Sequence, residues 1–181
     1  MASQYDAFLA RGCRIVAVDV DSPGQHAAMV DKLDLPFPYL SDPDRSRAIA
    51  PFDVVNETDP RNLAKPAMVL IDTDGEERWR FVSRDFADRY PEDEVLAIVD
   101  GLGLSPAQPE SVPLGPIEPG EKAMPFEGLS FYLRGARFAA LAMGLRHKDL
   151  GDAIKEDSKA YVASMDRMLE AVKEYKRDRT R

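Results

Sequence analysis

The sequence is poor in the residues that build disulfide frameworks and metal centres. It contains one cysteine, Cys13, and two histidines, His26 and His147, among 181 residues. A single thiol excludes an internal disulfide and a cysteine metal cluster. The two histidines lie far apart in the sequence and show no metal-ligand spacing. We therefore expect no metal site, and no motif predicts a bound cofactor.

The chain also lacks an excess of positive charge and long apolar runs. The net charge is -8 and the pI is near 4.9, so the chain lacks the basic face that nucleic-acid phosphates require. No apolar run approaches the roughly 20 residues that span a bilayer. The best candidate, residues 129–145, contains Arg134 and Arg137. No charged segment followed by an apolar core precedes the first predicted helix. We expect a cytoplasmic protein that contacts neither nucleic acid nor membrane.

The stretch Arg14–Asp42 predicts a strand, a helix and a second short strand, which together form one βαβ-type unit. Ile15–Val18 is a continuous apolar run, typical of a strand that is covered on both faces. The helix should begin with an N-cap serine, a proline at its first position and a glutamine that closes a capping box: Ser22, Pro23 and Gln25. Tyr39–Leu40 can then pair as the second strand. A short helix, Ser3–Ala10, should precede the unit.

Acidic residues follow both predicted strands of this unit. In open α/β sheets, ligands usually bind at the carboxyl ends of the strands. Asp19, Asp21 and Asp42 therefore either converge as a cation site or serve as solvated turn carboxylates and caps. The absence of cation-ligand spacing favours the second reading.

The rest of the chain predicts a hairpin, a linker and a helical tail. Residues 67–72 and 76–83 flank Asp74-Gly75, a strong hairpin signal. Residues 104–125 are proline-rich and should be extended. The tail has a three-and-four apolar seam, which must be buried on the core, on the tail itself or on a second subunit: Ile154, Tyr161, Met165, Met168, Val172 and Tyr175. We predict a domain at 1–103, a linker at 104–125 and a helical hairpin at 126–181.

Three segments together resemble the peroxiredoxin family, in its alkyl hydroperoxide reductase/thiol-specific antioxidant branch. They read VAVDVDSP, FPYLSDPDRSRAIAPFDV and KPAMVLIDTDGEERWRFV, and the resemblance covers roughly Tyr5 to Gly103. It implies an α/β, thioredoxin-like three-layer sandwich, here expected to lack its N-terminal strands and to carry a C-terminal helical hairpin. We expect a small sheet of three or four strands.

The resemblance also implies where the family's chemistry would lie. Peroxiredoxins reduce peroxides with a low-pKa cysteine at a helix N-terminus, where the dipole favours the thiolate. That segment would precede Ser3–Ala10, so a chain that begins at Met1 is expected to lack it, and no catalytic residue is predicted. Cys13 follows the other end of that helix and is either a buried small hydrophobe or a redox thiol. Lys65 and Pro66 match the family's active-site neighbourhood, with Pro66 as a cis proline and Lys65 as a stand-in for arginine.

Two functions remain open. The chain is either a peroxiredoxin-like antioxidant oxidoreductase without peroxidase turnover of its own, or a non-catalytic dimerisation or partner-binding module on a degenerate thioredoxin-like fold. The second predicts a homodimer through the C-terminal helices. A peroxide and a thioredoxin-type reductant are expected as partners only if further residues complete the active site, as they would if Met1 is not the natural start.

Overall fold

The computed structural model describes residues 1–179, and the side chains of residues 1–177. It divides the chain into two compact units, Met1–Asp85 with Tyr90–Glu121, and Phe86–Arg89 with Lys122–Arg181. The last two residues of the predicted hairpin, 180 and 181, lie outside the described residues. The domain boundaries derived from the sequence stay a prediction.

The first unit opens with the expected βαβ arrangement. A 3-10 turn, Ala2–Gln4, and the helix α1, Tyr5–Ala10, come first. The unit itself consists of the strand β1, Ala17–Asp19, the helix α2, Pro23–Leu33, and the strand β2, Tyr39–Ser41. The two strands are parallel, with Ala17 opposite Tyr39 and Asp19 opposite Ser41. The Ser22 hydroxyl accepts the Gln25 N–H, and the Gln25 side chain accepts the Ser22 N–H, so the predicted capping box starts α2.

The predicted hairpin is also present. Strands β3, Ala67–Ile71, and β4, Glu77–Val82, pair in antiparallel register, with an irregularity between Leu70 and Ile71. The turn between them contains Gly75 at φ +85°, a conformation that favours glycine.

The predicted single sheet of three or four strands is wrong, because the described strands form two separate two-stranded sheets. Each of β1 and β3 is hydrogen-bonded to one neighbour only, and β1 has three residues rather than the longer buried strand that the apolar run predicts. Val16 is 50% exposed. Val16 lies just before β1, and the three strand residues are only partly buried, whereas a central strand would be covered on both faces.

The core of the first unit joins α1, the hairpin and α3, which spans Glu92–Asp100. Phe8 and Leu70 pack in one buried cluster with the inner face of α3, formed by Val95, Leu96 and Val99. These apolar contacts hold the hairpin sheet against the two helices.

The proline-rich stretch contains no helix or strand within residues 102–125. Its first part is fixed to the first unit, because the Ala107 N–H donates to the Leu9 carbonyl at 2.8 Å and the Glu118 N–H donates to the Gly24 carbonyl at 3.0 Å. Gly24 permits this approach, since a Cβ there would lie 2.7 Å from the Glu118 Cβ.

The second unit is built on α4, Phe126–Arg146, and α5, Asp152–Arg179. The two helices are antiparallel, because Arg137 pairs with Asp166 at 2.7 Å and the Ser158 hydroxyl reaches the Ala140 carbonyl at 2.8 Å. The apolar seam of α5 is buried within this hairpin, in a cluster of Ala87, Leu133, Met165, Leu169 and Val172. Among the described helices, none is both long and apolar enough to cross a membrane.

Candidate functional site

A cluster of polar side chains lies where β1 and β2 end. We call it the His26 cluster; it consists of Asp19, Asp21, His26, Tyr39 and Ser41. Asp19 and Ser41 are register partners at the last positions of the two parallel strands, and His26 comes from the first turn of α2. The parallel pairing and the capped start of α2 together fix the positions of these groups.

The His26 ring is held from two edges and one face. Its Nε2 lies 2.5 Å from Asp19 Oδ1, and its Nδ1 lies 3.2 Å from Ser41 Oγ. The Tyr39 ring stacks on it at 4.2 Å between centroids, with an angle of 8° between the planes. The residue is only 3% exposed. A buried imidazole with a partner at each nitrogen is a fixed structural group, with its ring plane set by its neighbours.

Asp19 connects the rest of the cluster. Its Oδ1 also accepts the Asp21 N–H at 2.8 Å, and its Oδ2 accepts the Tyr39 hydroxyl at 2.6 Å. The Ser41 hydroxyl donates to the Asp21 carbonyl at 2.6 Å. These bonds tie the chain just after β1 to both β2 and α2.

The ligand atoms of Asp19, Asp21 and His26 all lie within 4.8 Å of one another. The pKa of the Asp21 carboxyl is raised, first by its partial burial and then by the charge of Asp19, while His26 acts in the opposite direction. A cation bound here would have to replace the hydrogen bond between Asp19 and His26. Asp19 and His26 thus already satisfy each other by a direct hydrogen bond.

Asp42 does not join Asp19 and Asp21, and it acts as a cap, which is the reading that the sequence favours. Asp42 is 1% exposed, and its carboxylate accepts the backbone N–H groups of the next turn, those of Arg47, Ala48 and Ile49, at 2.9–3.1 Å. Burial acts to raise the pKa of Asp42, but these donors outweigh it and the pKa is lowered. Its lone pairs are used by the backbone, which gives it the role of a buried cap.

A pocket of about 360 Å³ lies beside the cluster, within the first unit. His26, Tyr39 and Ser41 form part of its wall, and residues 110–115 of the proline-rich stretch form another part. The rest of the wall is apolar and comes mostly from α2 and the loop after it: Pro23, Val30, Leu35, Pro36, Phe37, Pro38 and Leu40.

Cys13 lies apart from this cluster, just after the C-terminal end of α1. Gly12 reverses the chain there at φ +78°, and the Cys13 thiol is 3.6 Å from the Arg14 carbonyl. Burial raises the pKa of the thiol. A carbonyl neighbour and the negative end of a helix both disfavour a thiolate.

The peptide bond between Lys65 and Pro66 is trans, since the described residues contain no cis peptide bond, and the predicted cis proline is therefore wrong. The Lys65 N–H donates to the Val54 carbonyl at 2.7 Å, and the Pro66 carbonyl accepts the Ser83 N–H at 2.8 Å. Pro66 thus leads directly into β3 as extended backbone, a position that suits a trans proline. The side chain of Lys65 is exposed, and its predicted place beside an active site stays a prediction.

Comparison with known proteins shows which family the first part of the chain is similar to. The model of the AhpC/TSA family matches residues 1–80. Over these residues the chain is similar to this family, the branch of the peroxiredoxins that its sequence resembles. The matched segment includes the whole His26 cluster, Cys13 and Lys65–Pro66, whereas α4 and α5 lie outside it. No curated protein matches the sequence.

Two solved structures of this peroxiredoxin family are similar to the chain. Mycobacterium bovis AhpC is 25% identical with a TM-score of 0.50, and Mycobacterium tuberculosis AhpC is 27% identical with a TM-score of 0.49. Each alignment covers 56% of this chain and 56% of the other. The likeness to the M. bovis protein confirms the α/β, thioredoxin-like class. The chain spans just over half the length of these structures.

Sequence reasoning found Asp19 and Asp21 in this unit but missed His26, Tyr39 and Ser41. The strand register could have located Tyr39 and Ser41. If Ala17 lies opposite Tyr39, then Asp19 must lie opposite Ser41. His26 had no such signal, because one histidine in a helix gives no periodicity of its own. Its burial results from the stacking on Tyr39 and the bonds to both strand ends.

Proposed function

We propose that this chain provides a peroxiredoxin-like antioxidant scaffold that does not reduce peroxides by itself. The environment of Cys13 is the observation that carries the proposal. It is the one cysteine of the sequence, and its thiol lies after a helix C-terminus with a pKa raised by burial. Peroxide reduction requires a thiolate as the nucleophile, which a positive helix N-terminus or a nearby cation would favour. Cys13 has the opposite surroundings.

Peroxide turnover by a larger assembly would then use a thiolate supplied from outside these residues. The chain spans 56% of the AhpC structures that it matches. In such an assembly the substrate would be a peroxide and the reductant a thioredoxin-type protein. A cytoplasmic location is also proposed, in keeping with the family and with the acidic composition.

A peroxide-consumption assay tests the scaffold proposal. Purified protein, hydrogen peroxide and either dithiothreitol or a thioredoxin system are mixed, with an active peroxiredoxin as the positive control. The expected rate equals that of buffer, for both the wild type and Cys13→Ser. Turnover by the wild type that Cys13→Ser abolishes would overturn the proposal and make Cys13 a redox residue.

A second function, self-association through the C-terminal helices, is supported by a different observation. The surface of α4 that faces away from α5 is rich in exposed aromatic and aliphatic side chains. Exposed apolar patches on soluble proteins often mark interaction sites. We propose that the helical hairpin is an interaction module that forms a homodimer.

A further inference from the structure

The helix α4 is apolar on two opposite faces. One face packs on α5 through the buried Leu133. The other has no cover within the described residues: Phe131 is 74% exposed, Phe138 62% and Leu145 66%. A contiguous exposed apolar surface on a folded protein commonly marks an interaction site. The second face therefore calls for a partner.

The exposed apolar residues of α4 have a symmetric spacing. Phe131, Phe138 and Leu145 recur every seven residues, so they form one line along the helix with Phe138 at its centre. Gly135 and Ala142 lie on the same side of the helix, and open space surrounds the position of a Cβ at Gly135. Small residues between large ones provide the holes into which the side chains of a facing helix can pack.

This symmetry fits a second copy of the same helix running in the opposite direction. With Phe138 on the two-fold axis, Phe138 meets its own copy and Phe131 meets Leu145 of the other chain. An isologous interface of this kind requires a self-complementary surface, which the spacing supplies.

The charges at the two ends of α4 favour the same arrangement. Its first turn contains Glu127 and its last turn contains Arg146. Antiparallel pairing places the acidic start of one helix near the basic end of the other, whereas parallel pairing would place like charges together. The two helix dipoles are also opposed in the antiparallel arrangement.

We infer that two copies of the chain associate through the outer face of α4, antiparallel, with Phe138 at the two-fold axis. This inference rests on the proposed self-association and specifies its surface. The seam of α5 that the sequence suggested for this role is not part of it, because Met165 and Val172 are already buried within the hairpin.

The first experiment measures mass by light scattering after size exclusion, at about ten to a hundred micromolar chain. Wild type is expected to be a dimer and Phe138→Asp a monomer with unchanged helical circular dichroism. Ala160→Asp, at an exposed position of α5, adds the same charge to the hairpin and is expected to stay dimeric. A monomeric wild type would overturn both this inference and the proposed self-association.

The second experiment fixes the register by disulfide trapping in a Cys13→Ser background. Phe138→Cys is expected to cross-link to itself under mild oxidation. Phe131→Cys alone is expected not to, because in the antiparallel dimer 14 residues of helix, about 21 Å, separate the two copies of this position. A mixture of Phe131→Cys and Leu145→Cys chains is expected to form the mixed disulfide.

The remaining outcomes discriminate the alternatives. Self-linking at both 131 and 138 would indicate parallel helices and overturn the register. A dimer that survives Phe138→Asp and shows no link at 138 would overturn this surface while leaving self-association intact. A wild type that is monomeric in solution but binds phosphatidylcholine vesicles, with binding lost in Phe138→Asp, would make a lipid surface the occupant and overturn the inference.

Discussion

The carboxylate of Asp19 and the imidazole of His26 lie 2.5 Å apart, from Oδ1 to Nε2, at the point where β1 ends and α2 begins. The histidine is buried, and Asp19 is the partner of its Nε2. The same carboxylate accepts the hydroxyl of Tyr39 from the neighbouring strand. One side chain thus joins two strands and a helix within the segment that defines the family match.

Removal of this carboxylate is expected to destabilise the first unit. Asp19→Ala leaves His26 Nε2 and the Tyr39 hydroxyl without this acceptor, and an unsatisfied buried polar group costs about 1–3 kcal/mol. Urea unfolding measured by circular dichroism should show a midpoint lowered accordingly. Asp31→Ala, at an exposed position of α2, is the matched control and should change the free energy of unfolding by less than about 0.5 kcal/mol. Equal stability of Asp19→Ala and wild type would contradict the role given to the cluster.

Local signals predicted much of the fold. Ser22 and Gln25 mark the start of α2 because a capping box uses groups three residues apart, and Asp74-Gly75 marks the hairpin because the turn needs the conformation that Gly75 adopts. The seam of α5 likewise follows from its spacing, and its burial within the hairpin is one of the three alternatives that the pattern left open.

The separation of the two sheets and the burial of His26 could not be predicted in this way. Whether β1 pairs with β3 depends on residues far apart in the chain. The apolar run at Ile15–Val18 suggested burial on both faces, although Val16 is half exposed. The carboxyl group of Asp42 reads as a possible ligand in the sequence, yet its partners are backbone groups that become available only when the following turn forms.

Asp42 gives the first unit a dependence on acid. Its pKa is lowered in the folded state relative to about 3.9 for an unperturbed aspartate. The native state therefore binds fewer protons than the unfolded state near this pH, and the stability that Asp42 contributes is present above about pH 4 and is lost as the pH falls through the folded pKa. We expect Asp42→Asn to be less stable than wild type at pH 7.

The measurement is the free energy of unfolding of wild type and Asp42→Asn at several pH values between about 7 and 2, the range that spans the titration of an aspartate. The gap between the two proteins should be largest near neutral pH and should narrow below about pH 4. Several other carboxylates with lowered pKa values, such as Asp72 and Glu77, give both proteins a common acid sensitivity. The difference between the curves isolates Asp42, and a gap that stays constant with pH would contradict the assignment.

The proline-rich stretch should depend on the glycine against which it lies. A methyl group in Gly24→Ala would lie 2.7 Å from the Glu118 Cβ, closer than real Cβ contacts, so residues around 118 must move away. The Glu118 amide would then lose its bond to the Gly24 carbonyl, which is 3.0 Å long in the native structure. Hydrogen exchange followed by mass spectrometry should show faster exchange of the peptide that contains Glu118.

Gly115→Ala provides the control, because no atom lies within 4 Å of the added Cβ, and it should leave that exchange rate unchanged. Since residues 110–115 also form one wall of the pocket beside His26, unchanged exchange in Gly24→Ala would mean that this wall is held by contacts other than the one at Gly24.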